Sequence, residues 1–491
     1  MKELLPLLVA ANALAAGPDF NRDNKWDYKD WYDFQAVYSE QFPSDGFDSI
    51  DVNGDGSFFD PADLELFYKM WSRQPANESG WTPIEIDPSA VCLFFNPSTG
   101  SNSNSGTSMD KPLKEWDVAR VYQIVGSPSI DEYRSGSVKR NVVIAFAYGT
   151  VHAGRINLEY GGVDFHRPVV ITSYGDGSLG RPVVGGIGLQ AECRGHVVIS
   201  DIEVAGPDTG TTGAGILLQG GQEDVRIEGC YIHGWQNGVA NTHPVTYFYI
   251  HRNVIADQWC QSALGHSQGF GPSQCQYVYV TENVFDQNGW AGKPEQRTKF
   301  NHSVYGVSNS RDMVFARNLV SRSSNTGLQL RANGQSAFDN VFYKNPANLT
   351  FGHDSTPPAV VPDGMAIGNI IVGTARNESW MAGSAIGINV CKGLRVTNTT
   401  IVGLPNEAQP NIRIEPTPAS WGTNVSSFTV SGTKAMNLGT SAVFRTLGPN
   451  ETIETPVNDP SLVRLSSIDW DALVSDARSG RRGDWRWSGV K

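Results

Sequence analysis

The chain has 491 residues, a net charge of −12 and a pI near 5.3, with 52 glycines. That length suits one large domain plus a smaller one, and the acidic balance argues against nucleic acid as a partner. Six cysteines, at 92, 193, 230, 260, 275 and 391, form no C-x-x-C pair, so no zinc site is expected.

Residues 1–17 carry a short apolar run, Leu4 to Ala11, and end in an A-x-A pattern, which reads as a signal peptide and implies a secreted or periplasmic protein. Residues 18–75 hold two aspartate-rich loops. The first sets Asp19, Asn21, Asp23 and Asp30 at alternating positions. The second sets Asp51, Asn53, Asp55 and Asp63, with Gly56 at the sharp turn. Oxygen ligands at this spacing converge on a calcium ion. With a helix-like stretch after each loop, the pair resembles a type I dockerin-like, EF-hand-like module. That resemblance implies bound calcium and a cohesin-like partner. The second loop departs from it, with Ala62 where the last acid should stand. Residues 76–91 read as a linker.

From 92 to 420 a turn signal recurs: Arg252-Asn253-Val254-Ile255, Glu282-Asn283-Val284-Phe285, Arg317-Asn318-Leu319-Val320, Asp339-Asn340-Val341-Phe342 and Gly368-Asn369-Ile370-Ile371. Two earlier units keep the spacing with Ile202 and Cys230 in the Asn slot, and the steps between units run from 22 to 35 residues. Apolar residues in and around these units alternate with period two, as in Tyr247 to Ile250 and Gln276 to Val280, so the units are strands rather than helices. Short strands with Asn and Gly corners, repeated at this period, predict an all-β right-handed parallel β-helix, a solenoid whose coils bury their apolar faces only by stacking. Asn is expected at the corners because it tolerates left-handed backbone angles, and because its side-chain amide, stacked coil on coil, can also bond the next turn. Phe94 to Thr107 and the amphipathic Trp116 to Val125 are expected to cap its first coil, since an open solenoid end exposes core and strand edges. Residues 421–491, where the Asn unit fades, are expected to be a tail folded on the solenoid. Cys260 and Cys275 flank one loop and are candidates for a disulfide.

The longest insertion between an Asn unit and the next strand is Asp286 to Asn301, and loops on one face of a solenoid commonly wall its binding site. If Val304 and Leu328 face inward, Tyr305, Gln329 and Arg331 face outward on one sheet, with Tyr305 and Arg331 about 8 Å apart. His302 is placed just before the strand. Lys299, His302, Tyr305 and Arg331 together suit β-elimination on a uronic-acid polysaccharide. Arg331 would neutralise the carboxylate, His302 or Lys299 would take the C5 proton, and Tyr305 would protonate the leaving O4. Trp290, Arg297, His266, Gln329 and His353 are expected to contact substrate. The excess of Lys and Arg from Lys293 to Arg331 reads as a basic strip for an anionic polymer.

Asn301 to Phe342 also resembles secreted bacterial β-helix carbohydrate enzymes of the chondroitinase B and alginate lyase family, through the order basic residue, Arg317-Asn318, Gly327-x-x-Leu330-Arg331, Asn340-x-Phe342. The resemblance implies Lys299 as base, Arg331 as acid and calcium at the substrate carboxylate. That family's Asn/Glu/Glu calcium ligands have no counterpart in this sequence. The competing readings are a glycoside hydrolase, which needs two facing carboxylates, an epimerase using nearly the same residues, and a non-catalytic glycan-binding solenoid. A monomer is expected.

Overall fold

The computed structural model describes residues 86–479 apart from 126–139, 212, 263–264, 307–308, 332–333, 353–360, 363, 376–382, 390, 406, 409, 415–426, 439–441, 444–446 and 448–449. The expected calcium ligands Asp19, Asn21, Asp23, Asp30, Asp51, Asn53, Asp55 and Asp63 lie outside these residues, as does His353.

The described residues between Val91 and Asn458 form a right-handed parallel β-helix of three long sheets with 13, 12 and 11 strands. Sheet I runs from Val91–Phe95 to Glu451–Ile453. Sheet II runs from Val151–His152 to Val457–Asn458, and sheet III from Ile156–Leu158 to Ala442–Val443. Within the three sheets every strand pairs in parallel with its neighbours on adjacent coils, and the inward rows stack like on like. On sheet III, Ile216, Val239, Phe270, Val304, Leu328, Leu349 and Ile386 line up coil on coil and are fully buried. Burying such a side chain contributes roughly 1.5–3 kcal/mol, so the row is a continuous source of stability that no coil could generate alone.

The first coil is capped by the helix Val118–Ile124. Asp117 caps its N-terminus, accepting from the backbone of Ala119 and Arg120, and Val121 is buried in the core. The ladders do not stop at residue 420. Phe428–Ser431 pairs with Leu394–Thr397, and Lys434–Met436 pairs with Thr400–Val402. The coils persist there because Thr399 and Thr433 take the Asn slot while the strands keep their apolar alternation. The segment Pro460–Arg478 then folds on the outer face of sheet II. Trp470 stacks on Tyr343, and Arg478 reaches the carboxylates of Asp257 and Asp286.

The corner between sheets I and II carries the asparagines, with their amides bonding from coil to coil as expected but with the backbone angle placed differently. The left-handed angle belongs to the residue before each Asn: φ is 53° at Arg252, 58° at Glu282, 52° at Arg317, 50° at Asp339 and 69° at Gly368. The Asn side chain instead turns inward and is buried. The Oδ1 of Asn283 accepts from the backbone N–H and the Nδ2 of Asn253, at 2.9 and 3.0 Å. Asn318 serves Asn283 in the same way, Asn340 serves Asn318, and Asn369 serves Asn340. Each Nδ2 also donates to a core-facing carbonyl, such as Ile227 O for Asn253 and Val280 O for Asn318. One methylene gives the amide the reach to satisfy both its own coil and the next.

Asn318→Ala would leave the N–H of Asn283 without an acceptor, while its Nδ2 keeps Ile250 O and Thr281 O. The stranded N–H puts the fall in urea midpoint at the equivalent of roughly 1–3 kcal/mol. Asn318→Asp keeps the acceptor but faces Asn340 Oδ1 with a carboxylate, so it should also destabilise. A midpoint for N318A within error of wild type would show that the ladder does not hold the register.

Candidate functional site

The outer face of sheet III is set by parity, with one local irregularity. Val304, Leu328 and Leu349 point into the core, so Tyr305, Gln329 and Thr350 stand outward on three successive coils. His302 is the first residue of the strand His302–Gly306, paired to Gln268 and Thr326, and not a pre-strand residue. Its N–H donates to Ser267 O, which extends the ladder by one residue. The next residue, Ser303, is fully buried and bonds Ser323 Oγ at 2.8 Å. Ser303 and Val304 thus turn away from the outer face together, and His302 and Tyr305 share it.

The consequence is contact. The His302 and Tyr305 rings stack at 4.8 Å with an interplanar angle of 11°. The Arg331 guanidinium sits 5.1 Å from the Tyr305 ring centroid, a cation–π geometry. Gln335 Oε1 accepts from the Arg331 N–H at 2.7 Å and so fixes the end of that strand. Gln329 Nε2 reaches Gly352 O on the following coil. His302 is 5% exposed, Gln329 3% and Arg331 8%, so an imidazole, a guanidinium and an amide are held in a largely desolvated face.

The 286–301 insertion packs beside this face as a stiff wall. The Trp290 indole donates to Arg322 O, and Arg297 lies over the Trp290 ring at 3.7 Å. Asn301 Nδ2 donates to Gly289 O, and the Thr298 N–H to Ser324 Oγ. Lys293 lies 3.6 Å over the Trp259 ring and pairs with Asp208, which ties the wall to the preceding loops. Lys299 is on this wall: its ammonium lies over the Phe300 ring at 5.1 Å, and Asn325 Nδ2 holds its carbonyl. Phe300 in turn contacts His266. The structure therefore joins His302, Tyr305, Arg331 and Gln329 in one cluster and groups Lys299 with Phe300 and His266. His243 is a turn histidine, accepting from the Gly220 N–H.

Two expectations are corrected. The basic stretch is not one strip, because successive corners send its members to different sheets. Arg317 is spent on Glu282 at the corner between sheets I and II. Arg322 is spent on Asp286, together with Arg478, on sheet II. Cys260 and Cys275 form no disulfide. All six cysteines are free thiols, and Cys275 is buried with its thiol donating to Ser273 O.

Sequence reasoning passed over Asp312 and the outward polar residues beyond Arg331. Asp312 occupies the sheet I row of Tyr247 and Tyr277, and like them has a left-handed backbone, with φ 55°. Those two tyrosine rings stack at 5.1 Å. Burial raises the Asp312 carboxyl to about 6 against the opposing pull of Arg311. The signal was one acidic residue within an apolar strand, which a sequence alone does not separate from a solvated charge.

No family model matches the sequence, and no curated protein matches it. Solved structures of low identity align over much of the chain. A lacto-N-biosidase from Eubacterium ramulus is 9% identical over 81% of this chain and 70% of its own, with a TM-score of 0.39. An alginate lyase from a Paenibacillus strain is 13% identical over 67% and 95%, with a TM-score of 0.38. The Dettilon tailspike protein is 11% identical over 74% and 69%, with a TM-score of 0.43. At these identities and scores the likeness says nothing of this chain's chemistry, and the fold rests on its own strand pairing.

Asp312 yields a pH prediction. Its folded value lies above the ordinary 3.8, so the folded chain holds the proton more tightly. Its contribution favours folding at low pH and is lost as pH rises from about 4 to about 6. Asp312→Asn mimics the protonated form. In urea melts it should match wild type near pH 4 and exceed it above pH 6.5, by on the order of 2–3 kcal/mol at most. An equal midpoint at both pH values would show that the carboxyl is solvated.

Proposed function

We propose that the outer face of sheet III around His302, Tyr305 and Arg331 acts on an acidic, uronic-acid-containing polysaccharide by β-elimination. The observation that carries this reading is the contact of an imidazole, a phenol and a guanidinium on one desolvated face. Each group answers one need of the reaction. Arg331 pairs with the substrate carboxylate and spreads the charge that develops when C5 loses its proton. His302, as neutral imidazole, takes that proton. The electron pair forms the C4–C5 double bond as the C4–O4 bond breaks, and the Tyr305 hydroxyl protonates O4. His302 is preferred over Lys299 as base because it touches Tyr305, whereas the contact of the Lys299 ammonium is with Phe300. Gln329, His266, Arg297 and Trp290 are assigned to the walls and floor that orient the polymer.

Among the described residues no group of three or more His, Cys, Asp or Glu gathers as metal ligands. No step is routed through a cation. A hydrolase on this fold would need two carboxylates facing the groove. Asp286, the first acid of the inserted loop, is instead fully buried on sheet II, accepting from Ser321, Arg322 and Arg478.

Calcium binding by the 19–30 and 51–63 loops is proposed on their sequence alone, with a cohesin-like partner as a further proposal. Export is proposed on the apolar N-terminus; no helix among the described residues is long and apolar enough to cross a membrane. Adding a chelator to the full chain should lower the first melting transition if the loops hold calcium, and an unchanged melt would refute it.

The catalytic assignment is tested by ultraviolet absorbance of the unsaturated uronate during incubation with acidic polysaccharides. Tyr305→Phe should reduce turnover by ~10²–10⁴, and Arg331→Ala by at least as much. Near-wild-type rates in both variants would move the site elsewhere. New reducing ends without absorbance would identify a hydrolase instead.

A further inference from the structure

The coil before His302 and Tyr305 repeats their arrangement with different residues. Its strand, Gln268–Gly271, pairs with theirs through Gln268 to His302 and Phe270 to Val304, so Gly271 stands beside Tyr305. Gly269 and Phe270 are buried while Gln268 and Gly271 are half-buried, which is the same two-residue inward turn. On the one coil the His302 ring reaches forward over Tyr305. On the other the Gln268 side chain reaches forward over Gly271, where a Cβ would collide with Gln268 Oε1. Glycine at 271 is what lets the carboxamide lie there. Asn237 Oδ1 accepts from the Gln268 N–H at 3.0 Å and fixes the start of the strand from which it reaches.

Tyr305 is thus flanked by a glutamine on each side, roughly one strand spacing away. The two differ in access. Gln329, on the following coil, is buried and donates to Gly352 O. Thr350, one coil further, is fully buried as well. Gln268, on the preceding coil, is half-buried, and the outward row beyond Gly271 stays half-buried through Ala240 and Leu217. The face is therefore reached from the N-terminal side of Tyr305, and Gln268 is the polar side chain beside His302 on that side.

We propose that Gln268 is a further substrate-binding residue of this site, its carboxamide taking a hydroxyl of the leaving sugar unit, the one released from O4. This rests on the functional reading above and adds a direction to it. Arg331 follows Leu330, which pairs with Gly306, so the guanidinium that holds the uronate carboxylate comes from the coil after Tyr305. Tyr305 protonates O4, the atom that joins the uronate to the leaving unit. With the uronate on the Arg331 side of that atom, the leaving unit lies on the other side, over Gly271 and against Gln268. A primary amide offers both a donor and an acceptor, and a sugar hydroxyl is both, so the contact forms whichever way the carboxamide is turned. The carboxamide carries no charge, so the leaving unit need not be a uronate. The polymer then runs from the Arg331 coil towards the N-terminal coils in the direction of its leaving end.

The test follows unsaturated-uronate absorbance against polymer concentration, for the full chain on polygalacturonate, alginate and chondroitin sulfate, and each protein is also melted. Gln268→Leu keeps the length of the side chain and removes the amide. Gly271→Ala keeps the amide and pushes it aside. Either should raise KM about three- to tenfold on the best polymer, the worth of one neutral hydrogen bond made alike in ground and transition states, with kcat within about twofold of wild type. The double variant should lose no more than Gln268→Leu alone, because both substitutions act through one carboxamide. Melting temperatures should match wild type. An unchanged KM in Gln268→Leu would overturn the proposal and leave the functional reading intact. Losses that multiply in the double variant would overturn it too, by showing that Gly271 acts on its own. So would a lower melting temperature in both single variants, which would assign the pair to the fold. A wild-type chain that gives no absorbance with any of the three polymers would overturn the functional reading, and the role of Gln268 with it.

Discussion

The amide ladder at the corner between sheets I and II is the constraint on which the rest depends. Parallel strands stacked coil on coil share a hydrogen-bond pattern at several registers, and a slip of one residue would turn every outward side chain inward. The Asn ladder removes that freedom. From Asn283 to Asn369 each Oδ1 takes two donors from the preceding coil at 2.9 to 3.0 Å, and each amide is buried. In a low-dielectric interior a displaced amide would strand several polar groups at once, so the correct register is separated from its neighbours by several kcal/mol. The left-handed residue before each Asn costs roughly 1 kcal/mol when it is not glycine. The ladder offsets that cost, and four of these five corners can therefore carry a charged residue. Three of those, Arg252, Glu282 and Arg317, form an ion-pair row of their own along the outside.

Once register is fixed, the side-chain placements on sheet III follow from it. Val304 and Leu328 stack inward, so Tyr305 and Gln329 must be neighbours outward, and Arg331 must lie one step beyond. This much was legible in the sequence, because period-two alternation and a repeated corner residue are local signals. The position of His302 was not. It depends on Ser303 and Val304 both turning from the outer face, and Ser303 does so because Ser323, on the next coil, offers it a hydroxyl. A contact between residues of different coils leaves no trace in the spacing of either. The same limit explains the basic stretch. Lys293, Arg317, Arg322 and Arg331 are close in the chain, but a coil turns through three faces, and their partners Asp208, Glu282 and Asp286 lie tens of residues away. The left-handed angle was assigned one residue late, since Asn is the usual occupant of such turns while here the amide is needed for the ladder instead. The end of the solenoid was also set too early, because threonine replaced asparagine at the corner while the strands continued.

The outer faces of sheets II and III obey opposite rules. On sheet II the C-terminal segment covers the strands with Leu462, Leu465, Trp470 and Val474, and the buried Asp286 is met by two arginines and a serine hydroxyl. Removing Arg478 alone would leave Asp257 and Asp286 short of a cation, which is why such a clamp is strong only as a whole. This face is finished: apolar where it is covered and paired where it is charged.

Sheet III is not finished in that sense. An imidazole, a guanidinium and an amide stand on a largely desolvated face. Apolar residues of the same shape would make this part of the solenoid more stable, as they do in the inward rows a single residue away. Proteins retain such local costs where binding or catalysis needs polar groups fixed in advance, because donors already held in place need not reorganise when charge develops. The cost is bearable here for an architectural reason. Each coil is bound to its neighbours by three sheets and, through the middle of the solenoid, by the amide ladder on a different corner. A strained patch on one face is therefore held in register by the other two.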